Sequence, residues 1–583
     1  MRLDDTLPFV LLDDARADGA PARLYRDPVR VVQADTLAEV PMALAALRHG
    51  QAEGLDAAGY VAFEAGAAFE PVLAEVVTPG APLLWFGLFD GYETLAPDAV
   101  PSLLPGPAGA LVGVAKPLIE RERYDAMLAE VLALIRAGDI YQANLTFQAS
   151  VSVVGDPLAA YAQLRERARA GYGAIVATGE AVLLSLSPEL FFALDGGTLV
   201  TRPMKGTAPR GASAEEDQAL VAALADDTKQ RAENLMIVDL LRNDLSRVAV
   251  PGSVAVPSLF EVETYPTVHQ MTSTVTAQLA DGADAIDVLA ALFPCGSITG
   301  APKIRAMQVI ATTEAEPRGA YTGAIGRIDA TGDAMFNVAI RTLVMGDGEA
   351  RIGLGSGIVA DSQADAEWDE CLAKAGFLPS SRRPDLIETM AFDPEHGLPL
   401  LERHLARMKA SAVALGYPFD RHAARNELQA ATFTLRAPAK VRLVLAPSGA
   451  VAIETGPMPA APTGPVAVKI VPLPVDPRDY RLRHKTSDRS FYDDARRAAG
   501  TFEVLFTDPH GRLTEGSFTS LFVQRGDTLV TPPLGLGLLP GVLRQQMIET
   551  GAAREGELTA ADLAGGFFIG NALRGLMPAQ LVA

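Results

Sequence analysis

Two lysines carry the strongest chemical signals in this chain of 583 residues. Lys205 stands in Arg202-Pro-Met-Lys-Gly-Thr207, and Lys485 stands in the basic run Arg478-Asp-Tyr-Arg-Leu-Arg-His-Lys-Thr-Ser-Asp-Arg489. A lysine amine that has lost its proton is a nucleophile, able to add to a carbonyl as a Schiff base or to attack an electron-poor ring. The ordinary alternative is a solvated surface charge, because lysine is among the residue types least often buried. What accompanies each lysine must therefore decide.

Carboxylates accompany the first. Glu367 and Glu370 are three residues apart in 364–375 and would share one helix face, with Lys374 one turn further on. An ordinary surface pair between Glu370 and Lys374 accounts for the same spacing. Glu233 borders a long apolar run in 228–244, where a carboxylate is costly unless paired or bound to a cation. Carboxylates from separate helices could hold Mg²⁺, a hard cation that prefers oxygen. In Arg351-Ile-Gly-Leu-Gly-Ser-Gly-Ile-Val359 three glycines alternate, which allows either close approach of backbone to an anion or a bulged edge strand. Gly296-Ser-Ile-Thr-Gly-Ala-Pro-Lys303 opens a helix-like stretch, a setting that suits an anion.

The elements that must position these groups fall into two modules. An apolar pattern at Met127, Leu128, Val131, Leu134 and Ile135, closed by Gly138, predicts a helix over 121–137. Strand-length runs at 181–186, 338–345 and 351–358 alternate with helical stretches, so an α+β fold is expected. Two prolines and paired serines in 376–385 mark a break. The expected division is a first domain at 1–376, a linker at 377–385 and a second domain at 386–583. In the second, a helix is expected near 402–415 and strands at 440–445, 466–471 and 502–507.

Composition narrows the classes. Hydrophobic residues make up 49% and charged residues 21%, as in folded proteins. A formal charge of −21 argues against nucleic-acid binding, which requires a basic footprint. Cys295 and Cys371 are the only cysteines, too few for a disulfide framework or a cysteine metal site. No run approaches the roughly 18 apolar residues of a membrane span, and 1–12 has no basic start or long apolar core. A cytoplasmic protein without membrane or nucleic-acid partners is expected.

Taken in order, Ser187-Pro-Glu189, Arg202 to Thr207, Arg231-Ala-Glu-Asn-Leu-Met-Ile-Val-Asp239, Gly296 to Lys303, Tyr321-Thr-Gly-Ala-Ile-Gly326, Ala339-Ile-Arg341 and Gly355-Ser-Gly-Ile-Val-Ala-Asp-Ser362 resemble the chorismate-utilising enzymes. The resemblance implies a large α/β sandwich over about 1–376. It implies Glu189 as acid/base and Glu233, Glu367 and Glu370 as Mg²⁺ ligands. Ser297, Thr299, Tyr321, Arg341, Gly355, Gly357 and Lys374 are then expected at the substrate. Within the family a lysine at the position of Lys205 goes with amination of chorismate at C4 and an alanine with the anthranilate branch. Gln230 and Gln270 depart from the anthranilate pattern, which has a glutamate and a histidine there. Ammonia would come from a separate glutamine amidotransferase subunit, since 293–297 is no nucleophile elbow.

Leu401-Glu-Arg-His-Leu-Ala-Arg-Met408, Leu513-Thr-Glu-Gly-Ser-Phe-Thr-Ser-Leu-Phe522, Leu539-Pro-Gly-Val-Leu-Arg544 and Asn571-Ala-Leu-Arg-Gly-Leu-Met-Pro578 resemble the class IV, branched-chain-aminotransferase-like pyridoxal phosphate enzymes, the last string on their lyase branch. The resemblance implies Lys485 as the lysine that carries pyridoxal 5'-phosphate and Glu515 as the carboxylate facing the ring nitrogen. It also implies Arg407, Gly541 and Val542 around the phosphate, and pairing of two copies through this module. Ser520 replaces an asparagine common in the family, and the module is shorter at its N-terminus than free-standing members. The expected outcome is 4-aminobenzoate and pyruvate from chorismate and ammonia, in two steps of the folate pathway. An anthranilate synthase fused to an aminotransferase is the competing assignment.

Overall fold

A computed structural model describes residues 3, 7–78, 80, 82–265, 268–346, 348–379 and 383–582. The chain forms two compact units: 1–104, 112–151 and 161–379 in the first, and 105–111, 152–160 and 380–583 in the second. Of the linker expected at 377–385, Ser380, Ser381 and Arg382 lie outside the described residues.

The first unit is built on two ten-stranded sheets. One contains Phe9–Asp13, Tyr172–Ala177, Val182–Ser187, Thr342–Gly346, Glu349–Ile358 and Gln142–Gly155; the other contains Asp56–Val61, Leu84–Phe89, Leu190–Asp195, Met204–Pro209, Val268–Gln278 and Ala334–Val338. Val10, Val176 and Leu183 from the first sheet meet Tyr60, Trp85 and Ile325 from the second in one buried cluster, as expected when each sheet has an apolar inner face. Helices Val40–Ala52, Thr228–Ser246, Ala285–Leu292 and Lys303–Thr313 cover the outer face of the second sheet through Leu44, Val238, Leu289 and Met307. The helix Arg121–Ala137 forms as its periodicity predicts, and Gly138 ends it at φ 81°.

One strand expectation is corrected. The run 338–345 is two strands in different sheets: Ala334–Val338 ends in the second and Thr342–Gly346 begins in the first. The Ile340 amide donates to the Val338 carbonyl at 2.7 Å, and Arg341 adopts φ 51°. A left-handed arginine costs on the order of 1–3 kcal/mol and persists where its surroundings over-determine it. Apolar content at 338–345 is equally compatible with one strand or two, so periodicity could not reveal this crossing.

In the second unit, Leu386–Phe392, Ala439–Leu445 and Val451–Pro457 form an antiparallel sheet. The helices Leu401–Leu415 and Arg421–Thr432 pack on it through Leu405, Met408, Ala424 and Leu428. Beside it lies an eight-stranded mixed sheet whose parallel pairs join Val466–Pro472 to Glu503–Thr507 and Gly575–Leu581, and Thr528–Thr531 to Ala553–Glu555. Among the described residues no helix is long and apolar enough to cross a membrane.

Candidate active sites

Lys205 lies on the strand Met204–Pro209 and is held by its backbone on both sides. Asn234 donates to its carbonyl at 3.4 Å, and Asn234, itself buried, accepts from Ser273 Oγ at 2.6 Å. Next to it Gly206 takes φ 97°, and a side chain there would meet Gln230 and Met271 at 3.2 Å. Gln270 donates to the Gly206 carbonyl at 2.8 Å and accepts from Thr207 Oγ1 at 3.0 Å. The two glutamines singled out in the sequence therefore both bear on the backbone that presents Lys205. The lysine Nζ hangs over Gly357, where an added Cβ would come within 3.3 Å of it. Of the glycine triplet, Gly357 leaves room for the amine and Gly353 makes room for the Tyr321 ring, while the Gly355 carbonyl accepts from Lys374 Nζ at 2.8 Å. The strand is internal to its sheet, not an edge strand, and its glycines admit an amine and a ring.

The charges around this amine are mixed. Burial lowers the Lys205 pKa, with Lys374 adding to the effect and Glu233, Glu189 and Glu370 opposing it. Burial raises that of Glu189, a buried side chain that accepts from Ser297 Oγ at 2.8 Å. Glu189 leads out of the Ser187-Pro turn, and Ser187 Oγ donates to the Val338 carbonyl at 2.6 Å. Arg341 has its pKa lowered by burial and makes no ion pair among the described residues. An arginine fork without a partner is suited to a carboxylate from outside the chain.

Other expected residues are placed less directly. Thr299 is fully buried and spends its hydroxyl on the Cys295 carbonyl at 2.7 Å. The helix expected to open at 296–303 begins only at Lys303, whose amine bonds to Asp244 at 2.7 Å and the Leu292 carbonyl at 2.8 Å. Ser297 and Thr299 sit instead in and just after a short 3₁₀ turn, Gly296–Ile298. The oxygen chemistry of Glu233, Glu367 and Glu370 suits Mg²⁺; Glu370 adds to the burial that raises the Glu233 pKa and is itself paired with Lys374 at 2.8 Å. Among the described residues no three acidic, histidine or cysteine side chains converge to hold an ion.

In the second unit a cavity of about 530 Å³ is lined by Lys485, Glu515, Arg407, Ser520, Gly541 and Val542, so every cofactor residue expected from the sequence borders one space. Burial lowers Lys485 to about 7, and the neighbouring Arg407 and Arg489 add to this. Burial also pushes Glu515 up to about 7, against hydrogen bonds from Tyr492 Oη at 2.7 Å and the Leu539 amide at 3.1 Å. Val542 starts the helix Val542–Glu549, and a side chain on Gly541 would strike Ser520 Oγ at 2.6 Å. The substituted Ser520 thus stands at the helix start. A volume of this size, one buried amine, one buried carboxylate and a helix N-terminus suit a phosphorylated ring cofactor.

Two buried residues here were not picked out from the sequence. Glu388 accepts from Arg407 Nε at 2.8 Å and Nη2 at 2.6 Å, and from His404 Nδ1 at 2.6 Å. Although burial opposes it, Arg407 and His404 hold Glu388 down to about 2. Glu503 gathers the amides of Val504, Ser517 and Phe518 and the hydroxyls of Ser517 and Thr519 on one carboxylate, which fixes the loop after Glu515. Glu388→Gln should lower the stability of the second unit by about 3–5 kcal/mol, because Arg407 stays buried without its counter-charge. Urea unfolding followed by cofactor absorbance measures this; a loss under about 1 kcal/mol would contradict a buried charge pair. Since the folded Glu388 pKa lies below its unfolded value, its contribution is present at neutral pH and is lost as pH falls towards about 2.

The two-sheet fold and the lysine-carboxylate-arginine site define a known class. Residues 9–379 match the family described as chorismate binding enzyme, and the chain belongs to that family. Residues 385–582 match amino-transferase class IV. Aminodeoxychorismate synthase component 1 of Escherichia coli K12 is 46% identical over 254 residues, 44% of this chain and 56% of that protein. Anthranilate synthase component 1 of Methanothermobacter marburgensis is 41% identical over 261 residues, 45% of this chain and 57% of that one. The matching segment therefore spans little more than half the length of these curated relatives. The crystal structure of anthranilate synthase component I from Streptococcus pneumoniae superposes with a TM-score of 0.52 at 28% identity, covering 63% of this chain and 91% of the other.

Proposed function

We propose that the first unit aminates chorismate at C4 with ammonia and that the second eliminates pyruvate from the resulting 4-amino-4-deoxychorismate to give 4-aminobenzoate. The observation that carries this reading is the Lys205 amine, buried over Gly357 beside Glu189 with its pKa depressed. In its neutral form Lys205 attacks ring C2, the ring double bonds shift, and the C4 hydroxyl leaves as water on a proton from Glu189. Ammonia then enters C4 as the double bonds shift back and the lysine departs. Arg341 and Lys374 are suited to the substrate's two carboxylates.

When bound, pyridoxal phosphate supplies an electron sink for charge that develops beside the substrate amine. Arg407 and the helix start at Val542 would hold its phosphate, and Glu515 would face the ring nitrogen. Lys485, the buried amine of this cavity, would take the C4 proton as the C3–O bond breaks, so that enolpyruvate leaves and the ring becomes aromatic. Cys295 is buried, bonded to Ser297 at 3.2 Å and pushed up to about 12 by burial, so it is no glutaminase nucleophile. A glutamine amidotransferase subunit would deliver the ammonia.

The test is a product assay on the full chain with chorismate, ammonium, Mg²⁺ and pyridoxal phosphate. 4-Aminobenzoate and pyruvate in equal amounts are expected, and fluorescent anthranilate as the main product would overturn the assignment.

A further inference from the structure

The cavity around Lys485 holds more positive charge than one cofactor phosphate requires. Besides Arg407, which Glu388 already neutralises, it is lined by Lys440, Arg489, Arg496 and Arg574, while Glu515 is the only carboxylate among the lining residues. This surplus stands in a chain of net charge −21, so general basicity does not explain it. Arg496 already pairs with Asp493 at 3.1 Å, but Lys440, Arg489 and Arg574 make no ion pair among the described residues, and like charges facing one space repel one another unless an anion arrives.

Arg489 is the best placed of them. Its Nη2 donates to the Ser517 carbonyl at 3.2 Å, and its guanidinium lies 4.4 Å from the centre of the Tyr492 ring. The same Tyr492 donates to Glu515, so the arginine is fixed to the framework that would face the cofactor ring. Its Nη1 is buried and has no hydrogen-bond partner among the described residues. A buried guanidinium nitrogen left unpaired is costly, and a ligand carboxylate would satisfy it. Arg496 and Arg574 flank the same space with aromatic neighbours, 5.6 Å from the Phe518 ring centre and 5.7 Å from that of Phe502, a combination of flat apolar surface and positive charge.

We propose that Arg489, with Arg496 and Arg574 beyond it, forms a carboxylate-recognition subsite that selects a ring amine bearing two carboxylates over a monocarboxylate amino acid. This rests on the lyase reading for its natural substrate and on the lining residues alone for its charge preference. The two can be tested apart, using the full chain loaded with pyridoxal phosphate. Arg489→Gln should raise KM for 4-amino-4-deoxychorismate about 10–100-fold, the loss of one charged hydrogen bond. It should leave kcat within about threefold and the cofactor absorbance unchanged, and Arg489→Lys should recover part of KM.

Isophthalate, an unreactive ring dicarboxylate, should perturb the cofactor absorbance of the unsubstituted protein at lower concentration than benzoate does, and Arg489→Gln should remove the difference. If the unsubstituted protein discriminates isophthalate from benzoate through Arg489 yet does not turn over aminodeoxychorismate, the subsite stands and the lyase reading fails. An unchanged KM in Arg489→Gln, equal response to the two acids, or loss of cofactor absorbance with the substitution would each overturn the subsite.

Discussion

Lys485→Ala should stop 4-aminobenzoate formation, with a loss of at least about a thousandfold, while 4-amino-4-deoxychorismate accumulates at the unsubstituted rate of synthesis. The expectation rests on the position of Lys485 in the cavity with Glu515, Arg407 and Val542, and on the lack of any other lysine there except Lys440. With its pKa lowered by burial to about 7, its amine passes from mostly charged at pH 6 to mostly neutral at pH 8, so cofactor loading should speed up over that range and then level off. The assay is chromatographic quantification of both compounds, with loading followed by visible absorbance. Normal 4-aminobenzoate output from Lys485→Ala would remove the lysine from the chemistry and the lyase role with it.

How much of this was legible beforehand differs between the two lysines. For Lys485, the strings around Arg407, Glu515, Gly541 and Val542 were separated by up to about 130 residues, and the fold brings all of them to one cavity. Their roles could be read because each depends on side-chain type within a short local pattern. Glu388 and Glu503 could not be read that way. A glutamate in an alternating strand looks like an outward-facing polar residue, and only the packing of Leu401–Leu415 on Leu386–Phe392 turns Glu388 inward to Arg407 and His404.

Arg489 lay inside a noted basic cluster, but charge density does not say which arginine has an unpaired buried nitrogen. Around Lys205, the nearby groups Glu189, Gly357 and Lys374 were legible. The crossing of the chain at Arg341 was hidden because a single polar pair, Arg341-Thr342, between apolar stretches fits one strand as well as two. For the carboxylates, spacing along one helix fixes a shared face for Glu367 and Glu370, and the pair that the same spacing allowed between Glu370 and Lys374 is present at 2.8 Å.

Lys205→Ala should reduce amination at C4 by about a thousandfold or more, and any residual amination should appear at C2. Charge alone could explain part of such a loss, because Lys205 sits among Glu189, Glu233 and Glu370 and opposes their negative charge. Lys205→Arg separates the causes: the guanidinium keeps the positive charge but is not a nucleophile at neutral pH. If the lysine acts covalently, both variants lose C4 amination alike; if it acts only through its charge, Lys205→Arg retains a substantial fraction.

Gly357 adds a steric control. A methyl group there would begin 3.3 Å from the lysine nitrogen and 2.7 Å from Gln142, so Gly357→Ala should also depress the reaction while Lys205 remains. The decisive measurement omits ammonia. The unsubstituted chain incubated with chorismate should gain the mass of chorismate less one water on Lys205, because the C2–N bond forms as the C4 hydroxyl leaves and nothing arrives to reverse it. Peptide mass spectrometry locates the adduct, and its absence under conditions where added ammonia restores turnover would rule out the covalent step.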